Sequence, residues 1–273
     1  MNAGHEVSVF SRTAAKCAPL VERGAFPAAT PAEASCNADV VFTMVGTPID
    51  VETVILGDQG VLSALDPGAV VVDCTTSTPS LAVQVAAWAA AQGAHSLDAP
   101  VSGGDVGAEA GTLSIMCGGS EVAMSKTLPL LELMGRPRRM GGPGAGQHTK
   151  MANQILACSN MIGMTESLLY ARKAGLDTEG VIAAIGSGAA GSWLINNLGL
   201  RQSRGDFAPG FMIEHMAKDL GIALAEANRM QLELPGLELA ERLYAGLMLQ
   251  GHGKDGTQAL VLALDDMLHQ DER

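Results

Sequence analysis

The hydrophobic pattern changes near Gly146, and this change constrains the fold more than any other feature. Before Gly146, short runs rich in β-branched residues alternate with helical stretches such as residues 13–24 and 79–93. Such alternation is typical of βαβ units and of a mostly parallel sheet. After Gly146 the apolar residues have helical spacing, and no further strand is predicted. The predicted strands are residues 5–10, 39–44, 69–74, 95–99 and 111–117.

We therefore predict an α/β domain with a doubly wound, Rossmann-type parallel sheet over residues 1–143, followed by an all-helical domain over residues 144–273. The first helix of the second domain is predicted to end at Lys173, because Gly175 lies just beyond it. Asp177 is predicted to cap the next helix. The apolar side of the first helix carries Met151, Ile155, Cys158 and Ile162.

Composition argues against nucleic-acid binding. The chain of 273 residues has a net charge of −12, and only 3% of its residues are aromatic. A nucleic-acid binder needs a basic surface and commonly uses aromatic stacking platforms. The sequence also lacks an apolar run of about 18 residues and a basic-then-apolar start, so neither a membrane span nor export is predicted. Acidic partners are not expected, except for a small anion bound at a locally positive site.

The cysteines favour a reducing compartment. Their number, five, is odd, and no two of them form a C-x-x-C pair. Neither a disulfide framework nor a zinc site is therefore predicted. His148, His215 and His252 also lack metal-ligand spacing. We predict a cytoplasmic protein without a bound metal.

One segment combines a hydroxyl with two glycine N–H groups where a predicted strand runs into a turn. It reads Asp-Ala-Pro-Val-Ser-Gly-Gly over residues 98–104. Glycine tolerates positive φ, so successive N–H groups at such a turn can form an anion-binding nest. We predict that Ser102, Gly103 and Gly104 bind a carboxylate. The plainer interpretation of the same three residues is a turn.

A second segment places a lysine and two amides on one side of a helix. Lys150, Asn153 and Gln154 lie at positions i, i+3 and i+4. Glycines before the lysine allow the helix to start close to another element. We predict that Lys150 transfers a proton, while Asn153 and Gln154 orient the oxygens of the substrate and hold the lysine. A solvated surface group is the plainer interpretation of a lone lysine.

These two segments, in this order, resemble the β-hydroxyacid dehydrogenase family, which includes 3-hydroxyisobutyrate dehydrogenase, tartronate semialdehyde reductase and the plant-type glyoxylate and succinic semialdehyde reductases. The resemblance continues through residues 111–119, 188–192, 207–211 and 218–220 and covers nearly the whole chain. It implies an oxidoreductase that transfers a hydride between NADP(H) or NAD(H) and a short 3-hydroxy acid or its semialdehyde. We also expect a homodimer or homotetramer formed through the helical domain.

The chemistry of such a reaction requires a base at the hydroxyl oxygen, because the hydroxyl proton must leave as the carbonyl forms. Lys150 is the candidate base, and in the reverse direction it is the acid. A lysine with its usual pKa of about 10.4 is protonated at neutral pH, but burial and a neighbouring cation lower that pKa. Lys218 and the oxidised nicotinamide ring are the candidate cations.

The cofactor contacts are predicted at the carboxyl ends of strands, the edge where open α/β sheets bind ligands. Arg12 follows the first strand, where an NAD enzyme carries an acidic residue, and an arginine there suits the 2′-phosphate of NADP. We therefore predict NADP, with NAD as the alternative. An exposed arginine and ordinary turn residues are the plainer interpretations. The predicted contacts, several of them implied by the resemblance, are Ser11, Arg12, Thr13, Met44, Val45, Thr75, Thr76 and Lys218.

The chain departs from the family pattern at its start. The family opens with a strand and a G-x-G-x-x-G turn that holds the pyrophosphate, and neither precedes residues 5–10 here. We expect Met1 to be an internal methionine of a longer protein that contains this missing βα unit, so that the sheet of the present sequence is N-terminally truncated. The alternative is that the phosphate site has been lost. Its loss would favour a second function, a catalytically impaired dehydrogenase-like binding or scaffold module.

Two substrates remain open, 3-hydroxyisobutyrate, which is oxidised, and tartronate semialdehyde, which is reduced. The difference is one hydroxyl or methyl group, which pocket shape decides. The related decarboxylating phosphogluconate enzymes have a longer helical domain and a basic phosphate-binding cluster that is not evident here. Imine-reducing relatives lack a lysine at the position of Lys150.

Overall fold

The computed structural model describes residues 1–270 of the protein. The chain divides into two compact units, Met1–Lys150 and Met151–Arg273. The first unit contains the strands, and the second is helical. An α/β sheet domain followed by a helical domain is therefore confirmed.

The first unit contains eight strands among its described residues. They are β1 (Ser8–Val9), β2 (Phe26–Pro27), β3 (Val40–Thr43), β4 (Val70–Asp73), β5 (His95–Asp98), β6 (Val101–Ser102), β7 (Leu113–Gly119) and β8 (Gly135–Gly141). Its helices are α1 (Ala18–Val21), α2 (Pro31–Ser35), α3 (Pro48–Leu56), α4 (Pro79–Ala91), α5 (Gly104–Ala110) and α6 (Glu121–Leu131). The helix α7 (Ala145–Lys173) begins in this unit and continues into the next.

The sheet of β3 to β8 is Rossmann-like and mixed: the predicted parallel arrangement holds for β3, β4 and β5, and antiparallel pairing begins at β7. Strands β3, β4 and β5 are parallel, whereas β7 runs antiparallel to both β5 and β6 and parallel to β8. A parallel return needs a crossover of about a dozen residues or more. Residues 103–112, which contain only the short α5, connect β6 to β7 and let the chain turn back. Strands β1 and β2 form a separate parallel pair.

Three strands escaped prediction, and the reasons differ. β2 and β6 are only two residues long. β8 contains Arg136, Pro137, Arg138 and Arg139, a composition that does not indicate a buried strand. Among the described strands β8 pairs only with β7, so it lies at an edge, where charged residues and proline are tolerated.

The valines of β4 explain why the sheet is covered on both faces. Val71 packs into one apolar cluster with Ile55 of α3 and Val85 of α4. Its neighbours Val70 and Val72 pack into a second cluster with other apolar residues. Successive side chains of a strand point to opposite faces, so β4 has an apolar layer on each side. Burying each valine side chain stabilises the fold by about 1.5 kcal/mol or more.

The second unit is built around α7, with α8 (Thr178–Ile185), α9 (Leu200–Ser203), α10 (Ile213–Arg229), α11 (Pro235–Leu249) and α12 (Leu260–Gln270). The predicted apolar stripe on α7 faces this core: three of its members are buried and Ile155 is partly buried. Tyr244 of α11 is fully buried, and its hydroxyl donates to the Thr257 carbonyl at 3.1 Å.

The predicted helix boundary near Lys173 is confirmed. Helix α7 ends at Lys173, and Gly175 has the left-handed φ of +74° that glycine allows. Asp177 caps α8 by accepting a hydrogen bond from the Gly180 N–H at 2.9 Å. Over residues 1–270 there is no helix with the length and apolar character needed to cross a membrane.

Candidate active site

The amino end of α7 lies against the carboxyl end of β5. The Asp98 carboxylate accepts hydrogen bonds from the Gly144 N–H at 2.8 Å and the Gln147 N–H at 2.9 Å. N–H groups at the start of a helix have no partner within that helix, so the Asp98 carboxylate satisfies them. Its negative charge also interacts favourably with the positive end of the helix dipole. Burial raises the pKa of Asp98 to about 6, although these N–H groups counteract the rise. Sequence reasoning did not assign this role to Asp98.

Glycine allows the close approach of α7 to the sheet. A Cβ atom at Gly146 would lie 2.3 Å from the Met116 carbonyl oxygen and 2.5 Å from that of Asp98. A Cβ atom at Gly118 would lie 2.5 Å from Asp98 Oδ1. These separations are far below van der Waals contact, so neither glycine can carry a side chain without movement of the backbone. The prediction that glycines let the helix start close to another element is confirmed.

Lys150 reaches the strand that leads into the predicted carboxylate cradle. Its side chain is buried, and Nζ donates to the Val101 carbonyl at 2.8 Å. Val101 directly precedes Ser102, the last residue of β6. Gly103 and Gly104 follow with φ values of +136° and +66°, which glycine adopts readily. The lysine and the cradle, 46 or more residues apart in the sequence, therefore lie on adjacent elements of one unit.

The two amides that follow Lys150 on α7 belong to the second unit. The Asn153 Nδ2 group donates to Gln154 Oε1 at 2.8 Å, and Gln154 Nε2 donates to Asp219 Oδ2 at 2.6 Å. Gln154 is buried, and protein groups bind both ends of its amide. Lys218, a predicted cofactor contact, lies 3.1 Å from Asp219 Oδ1 through its Nζ.

The predicted cofactor residues that follow β3 and β4 are joined through one of them, the buried Thr75. Thr75 accepts the Val45 N–H on its hydroxyl at 3.0 Å, and its own N–H donates to Asp73 Oδ1 at 3.1 Å. The two strand ends are thereby held together. Met44, at the same edge, is 67% exposed, whereas Thr76 is half-buried.

Arg12 is paired with an acidic residue of this unit. Its Nη1 lies 2.6 Å from Asp50 Oδ1, at the amino end of α3. The Thr47 hydroxyl and, secondarily, the Arg12 charge hold the pKa of Asp50 below its usual range. Ser11 and Thr13 form a local turn in which the Thr13 N–H donates to Ser11 Oγ at 3.3 Å. The arginine side chain remains 70% exposed.

Gln147 was not predicted as a site residue, yet it contacts the loop after β4. Its side chain is fully buried. Oε1 accepts the Ser77 N–H at 2.9 Å, and Nε2 donates to the Thr75 carbonyl at 2.7 Å. Its position three residues before Lys150 was the available signal, because residues at this spacing share one side of a helix.

Within residues 1–270, apart from side chains the structure leaves undescribed, no group of three or more His, Cys, Asp or Glu side chains could hold a metal ion.

Two family models match the chain and overlap at its centre. Residues 1–158 match the NAD binding domain of 6-phosphogluconate dehydrogenase, and residues 144–264 match the NAD-binding domain of NADP-dependent 3-hydroxyisobutyrate dehydrogenase. The overlap contains the start of α7 and Lys150.

Named relatives extend this similarity along the chain. The probable 3-hydroxyisobutyrate dehydrogenase-like 1, mitochondrial, of Arabidopsis thaliana is 50% identical over 266 residues, which cover 97% of this chain and 80% of that protein. The 2-hydroxy-3-oxopropionate reductase of Escherichia coli strain K12 is 36% identical, with coverage of 97% and 91%.

A solved structure agrees in fold as well as in sequence. The 3-hydroxyisobutyrate dehydrogenase of Mycobacterium tuberculosis, determined with L-serine, superposes with a TM-score of 0.87 at 30% identity. The match covers 96% of this chain and 92% of that one. With the family models and the relatives in agreement, this chain belongs to the β-hydroxyacid dehydrogenase family of NAD(P)-dependent oxidoreductases.

Proposed function

We propose that the protein interconverts a short 3-hydroxy acid and its semialdehyde with NADP(H), and that Lys150 is the acid and base of the reaction. The observation that carries this proposal is the 2.8 Å hydrogen bond from Lys150 Nζ to the Val101 carbonyl. It brings the amine to the strand that ends in the Ser102 cradle. A proton-transfer group and a carboxylate-binding turn on adjacent elements suit a substrate with a hydroxyl close to its carboxylate.

The residues at the carboxyl ends of β3 and β4 fit a nicotinamide cofactor. Parallel strands end there beside an exposed Met44, at the kind of edge where open α/β sheets bind ligands. The buried Ser77 hydroxyl, just beyond β4, finds no hydrogen-bond partner among the residues that the structure describes. It therefore has hydrogen-bonding capacity left for a polar group at this edge. When bound, the nicotinamide supplies hydride transfer to or from the substrate carbon.

Arg12 supports NADP over NAD, with NAD as the alternative. A guanidinium group binds phosphate through paired hydrogen bonds. Arg12 is 70% exposed and lies near the amino end of α3. The competing contact is its ion pair with Asp50. A 2′-phosphate would have to share or replace that pair, and exposed ion pairs are worth only about 1 kcal/mol or less.

The cradle binds the substrate carboxylate in this proposal. Ser102 offers a hydroxyl, and Gly103 and Gly104 offer N–H groups on a backbone with positive φ. Successive N–H groups in such a conformation form a concave site for an anion. The bound carboxylate would fix the hydroxyl-bearing carbon beside Lys150.

Lys150 moves the proton. In the oxidation its neutral amine takes the hydroxyl proton as the C–H bond breaks, and in the reduction its ammonium returns that proton to the carbonyl oxygen. The hydrogen bond to Val101 fixes the direction of the amine. Asn153 lies one turn further along α7 and is a candidate to orient the substrate oxygens. Gln154 supports Asn153, because its own oxygen accepts the Asn153 amide.

The proposed substrate is either 3-hydroxyisobutyrate or tartronate semialdehyde. The Arabidopsis thaliana relative is named as a probable 3-hydroxyisobutyrate dehydrogenase-like protein, and the Escherichia coli relative as a reductase of 2-hydroxy-3-oxopropionate, which is tartronate semialdehyde. The impaired binding or scaffold module is not favoured, since those relatives are named as a dehydrogenase and a reductase.

We also propose a cytoplasmic location and a homo-oligomeric assembly. All five cysteines are free thiols, with Cys36 exposed and the other four buried, which supports a reducing, cytoplasmic location. Leu156, Tyr170 and Leu249 of the helical unit are 63%, 76% and 91% exposed, which supports a homodimer or homotetramer formed through that unit. Light scattering during gel filtration measures the assembly.

The proton-transfer role is tested with Lys150→Ala. We expect turnover of the better substrate to fall by a factor on the order of 10² or more, with cofactor binding retained. Lys126→Ala is the matched control, because Lys126 Nζ also donates to a backbone carbonyl, that of Gly68, at 2.7 Å. Undiminished turnover in Lys150→Ala would contradict the mechanism. Failure of the natural protein to turn over either substrate would contradict the substrate class.

A further inference from the structure

Gln147 makes contacts that the chemistry proposed above does not use. It is a fully buried amide on the first turn of α7, and it bonds the loop after β4 through both ends of its side chain. A third bond, from its backbone N–H to Asp98 Oδ2, joins the same residue to the end of β5. One residue therefore connects α7 to two strand ends.

The connection reaches further through Thr75. The Thr75 carbonyl accepts the Gln147 amide, while its hydroxyl accepts the Val45 N–H. Val45 and Thr75 are predicted cofactor contacts at the ends of β3 and β4. Lys150 follows Gln147 by three residues and lies on the same side of α7. Hydrogen bonds therefore link Val45 and Thr75 at the cofactor edge to Gln147, and one turn of α7 separates Gln147 from Lys150.

We infer that Gln147 is a positioning residue, which fixes the rotation of α7 so that Lys150 is held in register with the cofactor edge of the sheet. The inference rests on the proposed role of Lys150. Hydride and proton leave adjacent atoms of one substrate, so the base and the cofactor edge must keep a constant separation.

The chemistry of the amide explains why this position suits glutamine. Oε1 must accept a hydrogen bond and Nε2 must donate one, so only one orientation of the side chain satisfies both partners. Methionine would fill the volume without fixing the rotation. Glutamate would set a carboxylate oxygen against the Thr75 carbonyl oxygen.

The test compares Gln147→Met with Gln202→Met. Gln202 is also buried, but its oxygen accepts from Thr165 within the helical unit, so the control removes a buried amide bond far along the chain from this network. Two readouts are used: steady-state kinetics of the whole enzyme, and hydrogen exchange of the peptide containing residues 75–77 in the protein without added ligand.

For Gln147→Met we expect kcat to fall about 10- to 100-fold with little change in KM, because misplacing a reacting group by an ångström has effects of this size. The Ser77 amide, which loses its acceptor, should exchange faster. Gln202→Met should leave both readouts unchanged. Wild-type kcat in Gln147→Met would overturn the inference. A fully active Lys150→Ala would contradict both the proposed function and this inference. An inactive Lys150→Ala beside an active Gln147→Met would overturn the positioning role alone.

Discussion

Gln154 Nε2 lies 2.6 Å from Asp219 Oδ2, although 65 positions separate the two residues in the sequence. Asp219 also pairs with its neighbour Lys218, and its carboxylate is almost completely buried. One carboxylate therefore holds the amide that supports Asn153 and the cation predicted to contact the cofactor. Asp219 therefore joins Gln154 of α7 to Lys218 of α10 within the helical unit.

Replacing Asp219 by alanine should destabilise the protein by about 2–4 kcal/mol, because a buried amide and a partly buried cation would lose their acceptor. Urea unfolding followed by circular dichroism measures the change. Glu179→Gln is the control, since Glu179 pairs with Arg204 on the surface and its loss should barely move the midpoint. Equal shifts of the urea midpoint in the two variants would contradict the stabilising role assigned to Asp219.

Cofactor preference should respond to the pair formed by Arg12 and Asp50. Arg12→Asp removes the partner proposed for the 2′-phosphate, so the ratio of kcat/KM for NADP to that for NAD should fall. Asp50→Asn releases Arg12 from its ion pair, and the same ratio should rise by at most about fivefold, the size expected for an exposed pair.

Arg136→Asp is the control for this prediction, because Arg136 is an exposed arginine of β8, away from the strand ends concerned. An unchanged cofactor ratio in Arg12→Asp would mean that Arg12 does not contact the cofactor.

Asp98 should make stability depend on pH. Burial raises its pKa from the usual 3.8 to about 6, so the folded state binds the proton more tightly than the unfolded state does. The stability that protonated Asp98 contributes is therefore fully present below about pH 4 and is lost as the pH rises through 6. A shift of about two units corresponds to about 3 kcal/mol.

Unfolding free energies of the natural protein and Asp98→Asn, measured from pH 4 to pH 7.5, test this dependence. The stability of the natural protein relative to the variant should decrease by up to about 3 kcal/mol over that range. A constant difference would show that Asp98 titrates alike in both states.

Two glycines of α7 should respond in opposite ways to alanine. Gly146→Ala would drive Cβ into the Met116 carbonyl, so we expect a loss of about 3 kcal/mol or more and a displaced Lys150 with little turnover. At Gly163, on the same helix, a Cβ atom would meet no described atom within 4 Å. Gly163→Ala should stabilise the protein by about 0.5–1 kcal/mol through helix propensity alone. Thermal unfolding separates the two outcomes.

Local patterns predicted the features that local chemistry determines. The end of α7 at Lys173 and the cap at Asp177 depend on residues within one or two turns, and both are confirmed. The edge strand β8 was missed because pairing with β7, and not its own composition, makes it a strand.

The roles of Asp98 and Gln147 could not be predicted in the same way. Asp98 bonds a backbone group 46 positions away, and Gln147 bonds one 72 positions away. Neither periodicity nor spacing encodes such a contact. The glycines beside them were visible in the sequence, but the surfaces they make room for appear only when β5, β7 and α7 are brought together.

Alkylation of the buried thiols can be used to follow the unfolding of the protein. Burial raises the pKa of Cys74 to about 12 and that of Cys117 to about 11, so neither forms the thiolate that reacts with alkylating agents at neutral pH. Only Cys36 is exposed, whereas Cys17, Cys74 and Cys117 become reactive when the first unit opens and Cys158 when the second does. Labelling over time, read by mass spectrometry, would therefore give a separate opening rate for each unit from the unmodified sequence.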